Sequence, residues 1–133
     1  MALKNMSLLT GATVSATGGT ALAFTDNGVS VANGVQLVCT TDTDFQTRRI
    51  CTVKYRPATV DSKLGTYGKD KKSISLALPV VLTTGQVVFC TWRIEREVHP
   101  SVAAATVTDM NKLGAQLLID TDTDGFWATG SLS

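Results

Sequence analysis

The sequence predicts an α+β fold, an antiparallel sheet followed by C-terminal helix. Three observations predict it. Gln86 to Val98 alternates, with Val88, Cys90, Trp92 and Ile94 on one side and Phe89, Thr91, Arg93 and Glu95 on the other. Side chains two apart share a face of a strand, so one face is apolar and the other mixed polar. After Pro100 the period lengthens. Ala103, Val107, Met110, Leu113 and Leu117 follow steps of three and four, a helical stripe. Strand-like runs come first and helical runs last, with connections short enough for a meander. The helix buries the apolar face of a sheet, its own or a partner's, and leaves the other face free.

The elements follow in order. Residues 1–34 read as small hairpins: a strand at Leu8–Val14, a turn at Ser15–Gly19 (SATGG) and a return strand at Thr20–Thr25. Asp26-Asn27-Gly28 and Asn33-Gly34 are further turn signals, because Gly and Asn accept positive φ. The sheet region is 35–97. Val35–Thr40 is strand-like, and Thr41–Asp44 is a polar turn. Arg48–Arg56 (RRICTVKYR) puts Cys51, Val53 and Tyr55 on one face and Thr52, Lys54 and Arg56 on the other. Pro57 ends it. Ala58–Asp70, with two glycines and two lysines, reads as a long exposed hairpin connection. Lys71–Leu78 turns Ile74, Leu76 and Leu78 inward and Ser73, Ser75 and Ala77 outward. Pro79 is expected to close it, and Leu82–Gly85 to turn the chain into the last strand. The helices are expected within 100–120. Pro100 suits a first helical position, Gly114 reads as a break, and Ala115–Asp120 as a second helical piece. The tail, 121–133, is polar apart from Phe126, Trp127 and Leu132.

The totals exclude several classes. A chain of 133 residues, 44% hydrophobic and 17% charged, has the length of one domain and can fill a core. A net charge of +1 argues against nucleic-acid binding through bulk charge, although a basic face balanced by acid elsewhere disappears in the total. Cys39, Cys51 and Cys90 are far apart and form no CxxC, so no zinc site is expected; each reads as a small buried hydrophobe. No signal peptide is visible, and the longest apolar run, Leu76–Leu82, contains a proline. A chain made in a reducing cytoplasm, with no membrane span, is the expectation.

Few groups suggest chemistry. His99 is the one histidine, and no nucleophile or orienting acid accompanies it in a known motif. Asp120–Gly125 (DTDTDG) matches the first half of a calcium loop, but the twelfth position is Ser131 and not an acid. A solvated acidic turn is the simpler reading. No phosphate-loop or dinucleotide pattern occurs. No catalytic residue, metal, cofactor or small-molecule substrate is expected. The free sheet face is the candidate site: Thr52, Lys54 and Arg56 from one strand, Ser73 and Ser75 from the next, and Phe89, Thr91 and Arg93 from the last. Cations hold phosphates, hydroxyls bond bases or sugars, and an aromatic stacks on an unpaired base. An ordinary solvated face has a similar composition. The same face also suits a small non-catalytic module that binds a peptide or sugar.

A resemblance adds to this reading. Gly28-Val29, the Asn33-Gly34-Val35 turn, the strand RRICTVKYRP (Arg48–Pro57), the strand ending in Pro79, and Leu117-Leu118-Ile119-Asp120 occur in an order and spacing that span nearly the whole chain. In that combination the chain resembles the coat proteins of single-stranded RNA bacteriophages, the levivirus group, and its Q-beta-like members. The resemblance implies an N-terminal hairpin, an antiparallel sheet of about five strands and two C-terminal helices. It implies a homodimer whose sheets join edge to edge, each subunit's helices covering one face of the dimer sheet. It implies an icosahedral shell with the sheet inside, found in the virion and assembled in the bacterial host cytoplasm. Its partners would be itself and viral single-stranded RNA, a stem-loop bound on the inner face for packaging and translational repression. By position, Thr52 and Lys54 match two RNA contacts, with the lysine a departure, and Ser73 and Ser75 match a threonine and a lysine. The base-stacking place falls on Val87 or Phe89, according to register. The loop Pro79–Gln86 lacks cysteines, which implies a shell without disulfides. Acids such as Glu95, Glu97 and Asp120 to Asp124 are expected away from the RNA face.

Overall fold

The computed structural model describes residues 3–61 and 66–132. Its contacts divide into two units, Gly19–Pro100 and Met1–Gly18 with Ser101–Ser133. The first unit is the sheet. β1 (Phe24–Val31), β2 (Gly34–Cys39), β3 (Ile50–Arg56), β6 (Asp70–Val81) and β7 (Val87–Val98) form one five-stranded antiparallel sheet in that order. Between β3 and β6, β4 (Val60–Asp61) and β5 (Thr66–Tyr67) pair as a small ladder. The part of the expected Ala58–Asp70 connection that carries Lys63 and Gly65 lies outside the described residues.

The N-terminal hairpin is displaced from its expected place. Residues 6–23 hold no strand, and the hairpin is β1–β2, turning at Ala32-Asn33. Asn33 takes φ 59°, a left-handed conformation that asparagine tolerates. Gly34 follows because β3 leaves no room: a Cβ there would run into the Val53 carbonyl oxygen. The Asp26-Asn27-Gly28 signal marks an irregularity inside β1 rather than a turn. Pairing with β2 breaks between Asp26 and Ser30, Gly28 takes φ 75°, and the Asp26 and Asn27 side chains accept from the Gly28 and Val29 N–H groups at 2.9 Å each.

Pro79 does not close its strand. β6 runs on to Val81, and Pro79 lies opposite Phe89. The Leu82 N–H bonds the Gln86 carbonyl at 2.8 Å, so by alternation the Pro79 nitrogen points away from β7. On that side β3 ends its pairing at Ala77, and the missing N–H has no partner to lose.

The β2–β3 connection is clamped by charge. Arg49 donates to both carboxylate oxygens of Asp42, from Nε at 3.0 Å and Nη2 at 2.9 Å, and its backbone N–H adds a third bond at 2.9 Å. These bonds hold the Asp42 carboxyl down to about 2, from an ordinary 3.8. Phe45 projects from this connection with the Arg48 guanidinium 4.4 Å from its ring centre.

In the second unit, α1 (Ala104–Ile119) is one uninterrupted helix, so Gly114 is not a break. A helical glycine costs about 1 kcal/mol, too little to end a helix anchored elsewhere. The anchors are polar. Gln116, buried, accepts from the Leu9 N–H and donates to the Leu9 carbonyl, both at 2.8 Å. Asp109 accepts from Gly11 and Asp122 from Ser7, each at 3.0 Å. These bonds occupy N–H groups that an N-terminal strand would need for its ladder, which is why Leu8–Val14 is not one. Pro100 precedes the helix by a turn, and the extended residue before it is Ala103.

The second helix lies beyond its expected place, in the tail. After a single 3₁₀ turn at Thr121–Thr123, α2 (Asp124–Thr129) ends at Gly130, φ 75°. Aspartate and threonine side chains make this junction. Asp120 accepts from the Asp122 N–H at 2.8 Å, and the Thr123 hydroxyl donates to the Leu117 carbonyl at 3.0 Å. DTDTDG thus forms the junction between the helices. Trp127 Nε1 ties α2 back to the Leu117 carbonyl at 2.9 Å.

Two predictions follow from this geometry. Gly34→Ala must push β2 from β3, at a cost of about 1–3 kcal/mol, read as a lowered thermal midpoint. Asp42 is depressed in the folded state, so its contribution is complete above pH 3.8 and is lost as pH falls toward about 2. Acid unfolding followed by circular dichroism is expected to lose part of its slope in that window in Asp42→Asn.

Candidate functional site

Pairing across the sheet determines which side chains share a face, because residues directly opposite one another project the same way. Four cross-strand rows build the polar face. Gln36, Thr52, Ser75 and Arg93 form one. Gly34, Lys54, Ser73 and Glu95 form the next, and Arg56, Lys71 and Glu97 a third. On the other side of the first row come Val38, Ile50, Ala77 and Thr91. Beyond them Phe89 stands opposite Pro79.

All eight residues expected on the free face therefore lie on one face: Thr52, Lys54, Arg56, Ser73, Ser75, Phe89, Thr91 and Arg93. Lys54, Arg56, Thr91 and Arg93 are exposed, and Thr52, Ser73 and Ser75 are half-buried between them. Phe89 is 60% exposed, while Val87, on the same face, is half-buried. Between the two residues left open for a stacking role, Phe89 is the one that offers a ring.

Two features of this face escaped the sequence. One is an amide pair. Asn27 Nδ2 donates to Gln36 Oε1 at 2.6 Å, which continues the Gln36–Thr52–Ser75–Arg93 row onto β1. Asn27 read as a turn residue because the β1 irregularity resembles a turn in one dimension. The other is the acidic character of this face: alternation had already put Glu95 beside Arg93, yet Glu95 and Glu97 were expected away from the RNA face, and both stand on it. Both reach Lys71, at 3.4 and 3.2 Å. Hydrogen bonding to Glu97, then to Glu95, raises the Lys71 ammonium above its ordinary value.

The opposite face is mainly apolar, with Tyr55, Lys72 and Arg96 toward one end. Val53, Ile74, Leu76, Leu78, Val88, Trp92 and Ile94 share it. Ile74, Trp92 and Ile94 are 45%, 41% and 53% exposed in the single chain. Among the described residues, the buried apolar side chains are Val38 and Cys39, and Cys39 is fully removed from water. The cysteine expectation holds for Cys39 alone. Cys51 is half-buried and Cys90 exposed, and all three are free thiols. His99 follows β7 and is exposed. Among the described residues, no three His, Cys, Asp or Glu side chains converge as metal ligands, and no helix is long and apolar enough to cross a membrane.

No protein-family model matches the chain, and no curated protein matches it. Solved structures do. The virus-like particle of bacteriophage GQ-907 aligns at a TM-score of 0.91 and 41% identity, over 99% of this chain and 100% of that one. The virus-like particle of Wenzhou levi-like virus 4 aligns at 0.71 and 16% identity, over 90% and 84%. That of bacteriophage AVE019 aligns at 0.64 and 13%, over 88% and 92%. The last two carry the fold alone.

Proposed function

We propose a function from one premise: the chain belongs to the coat proteins of levi-like, single-stranded RNA bacteriophages. It is a capsid protein, a structural component of the virion and not an enzyme. We infer that it forms a homodimer, that dimers close into an icosahedral shell, and that the polar sheet face binds a genomic RNA stem-loop inside it.

The observation that carries this reading is the two-sidedness of the sheet. Its apolar face is too exposed to be stable in water alone; burial is favourable by roughly 25 cal/mol per Å². A second copy supplies the cover. α1 has apolar surface at Met110 and Leu117, two turns apart on one side of the helix and both exposed. The helices of one subunit lie over the sheet of the other. The joining edge is β7. It runs twelve residues and is paired only to β6, whereas β1, at the other edge, is interrupted between Asp26 and Ser30. An irregular edge resists strand addition, and a long regular one invites it. Dimerisation makes the two polar faces continuous.

On that face Lys54, Arg56 and Arg93 meet phosphate, and Phe89 stacks on an unpaired base. Thr52, Ser73, Ser75 and Thr91, with the Asn27–Gln36 amides, offer hydrogen bonds to base edges and riboses. Binding there marks the genome for packaging and represses translation of the replicase, as the family resemblance implies. Assembly in the host cytoplasm agrees with three unpaired cysteines.

The full chain expressed alone in bacteria, separated by size exclusion and imaged by negative stain, is expected to give uniform shells with a nucleic-acid absorbance spectrum. A clean monomer overturns the reading. Ile94→Asp buries a charge in the proposed interface and is expected to abolish particles while the soluble chain keeps its strand signal in circular dichroism. Lys54→Ala with Arg56→Ala is expected to keep shells and lose most RNA, with the salt slope of binding falling by about one per lost phosphate contact. Unchanged RNA content overturns the assignment of this face.

A further inference from the structure

The polar face is not uniformly basic, and its charges are unequally available. Among the described residues it carries four cations, Lys54, Arg56, Lys71 and Arg93, and two carboxylates, Glu95 and Glu97. Lys71 is engaged at contact distance by both carboxylates. Lys54 is two strands away from Glu95 in the same row, about 10 Å at ordinary strand spacing. That exceeds the Debye length of about 8 Å at physiological salt, so the carboxylates hardly reach it. Arg56 stands equally far from Glu97. The electrostatic outcome follows from position: Lys71 is spent, and Lys54 and Arg56 are not.

Structural need explains one carboxylate but not two. Arg56 and Lys71 lie directly opposite each other, and like charges so placed repel. A single glutamate cancels the Lys71 charge. The second leaves the corner formed by Lys71, Glu95 and Glu97 net negative.

We propose that Glu95 and Glu97 set a boundary of the RNA footprint, withholding Lys71 from phosphate and repelling the RNA backbone from their corner of the face. The proposal rests on RNA binding by this face and refines it. The backbone then runs from Lys54 and Arg56 on β3 across the Thr52–Ser75 row, and Arg93, about 7 Å along β7 from Glu95, stands at the margin of the footprint. Ser73, opposite Glu95, is the outermost hydroxyl it reaches. The acidic corner restricts the binding register on a surface that would otherwise attract any phosphate chain.

The test uses the full chain at nanomolar concentration, titrated into a fluorescein-labelled RNA hairpin from about 50 mM to about 1 M salt. Glu95→Gln with Glu97→Gln is expected to bind about tenfold tighter at the low end, with a slope steeper by about one phosphate contact and the gain gone at the high end. Lys71→Gln alone leaves the corner more negative and is expected to bind slightly weaker at low salt, and to cancel part of the gain when added to the double variant. All these side chains are at least partly exposed and Glu→Gln is isosteric, so folding is preserved. Unchanged affinity in the glutamate variant, or tighter binding in Lys71→Gln alone, overturns the boundary. Lys54→Ala with Arg56→Ala separates the two failures. If it loses RNA while the glutamate variant is unchanged, only the boundary falls. If it binds as the parent does, the RNA face itself is misassigned.

Discussion

An uncovered apolar sheet face is the constraint on which the rest of this protein depends. A five-stranded sheet with alternating sequences has one side that must leave water. Here Ile74, Trp92 and Ile94 remain half in solvent within the single chain. Few of the described side chains are fully buried, so ordinary core features are sparse and polar anchors prominent.

The anchors operate inside each unit. In the sheet unit, Asp42 and Arg49 close the β2–β3 connection by three hydrogen bonds. In the helical unit, Gln116, Asp122 and Asp109 take hold of backbone about a hundred residues earlier in the chain. Buried Gln116 satisfies both its oxygen and its nitrogen on Leu9, which makes the contact directional where hydrophobic packing would not be. With few buried apolar contacts, such bonds specify which segment lies where.

The polar face shows how near neutrality and local basicity coexist. The chain carries +1 overall, yet Lys54, Arg56 and Arg93 reach one surface together with hydroxyls, amides and an exposed ring. Acids share that surface, and pairing geometry decides which cations they silence. Lys71 meets two carboxylates because β6 and β7 put it beside both, while Arg56, in the same row, is one strand further away.

Side-chain parity was legible in the sequence. A strand's period of two is a local property, so Thr52, Lys54 and Arg56 had to share a face, as did Phe89, Thr91 and Arg93. The change of period after Pro100 announced the helix for the same reason. Pairing partners are not local. That Thr52 lies opposite Ser75, and Lys54 opposite Ser73, depends on register between residues 23 and 19 apart in the chain. Tertiary structure alone turned the Asp26-Asn27-Gly28 signal into an irregularity in β1, let β6 run through Pro79 and kept α1 whole through Gly114. Each of these residues breaks an element by its intrinsic preference, and each was overruled by neighbours distant in the chain. The N-terminal segment is the clearest case. Its SATGG turn signal suggested a hairpin, but the Ser7, Leu9 and Gly11 N–H groups found side-chain acceptors on the C-terminal helical segment, and a backbone donor bonded there has no strand to join.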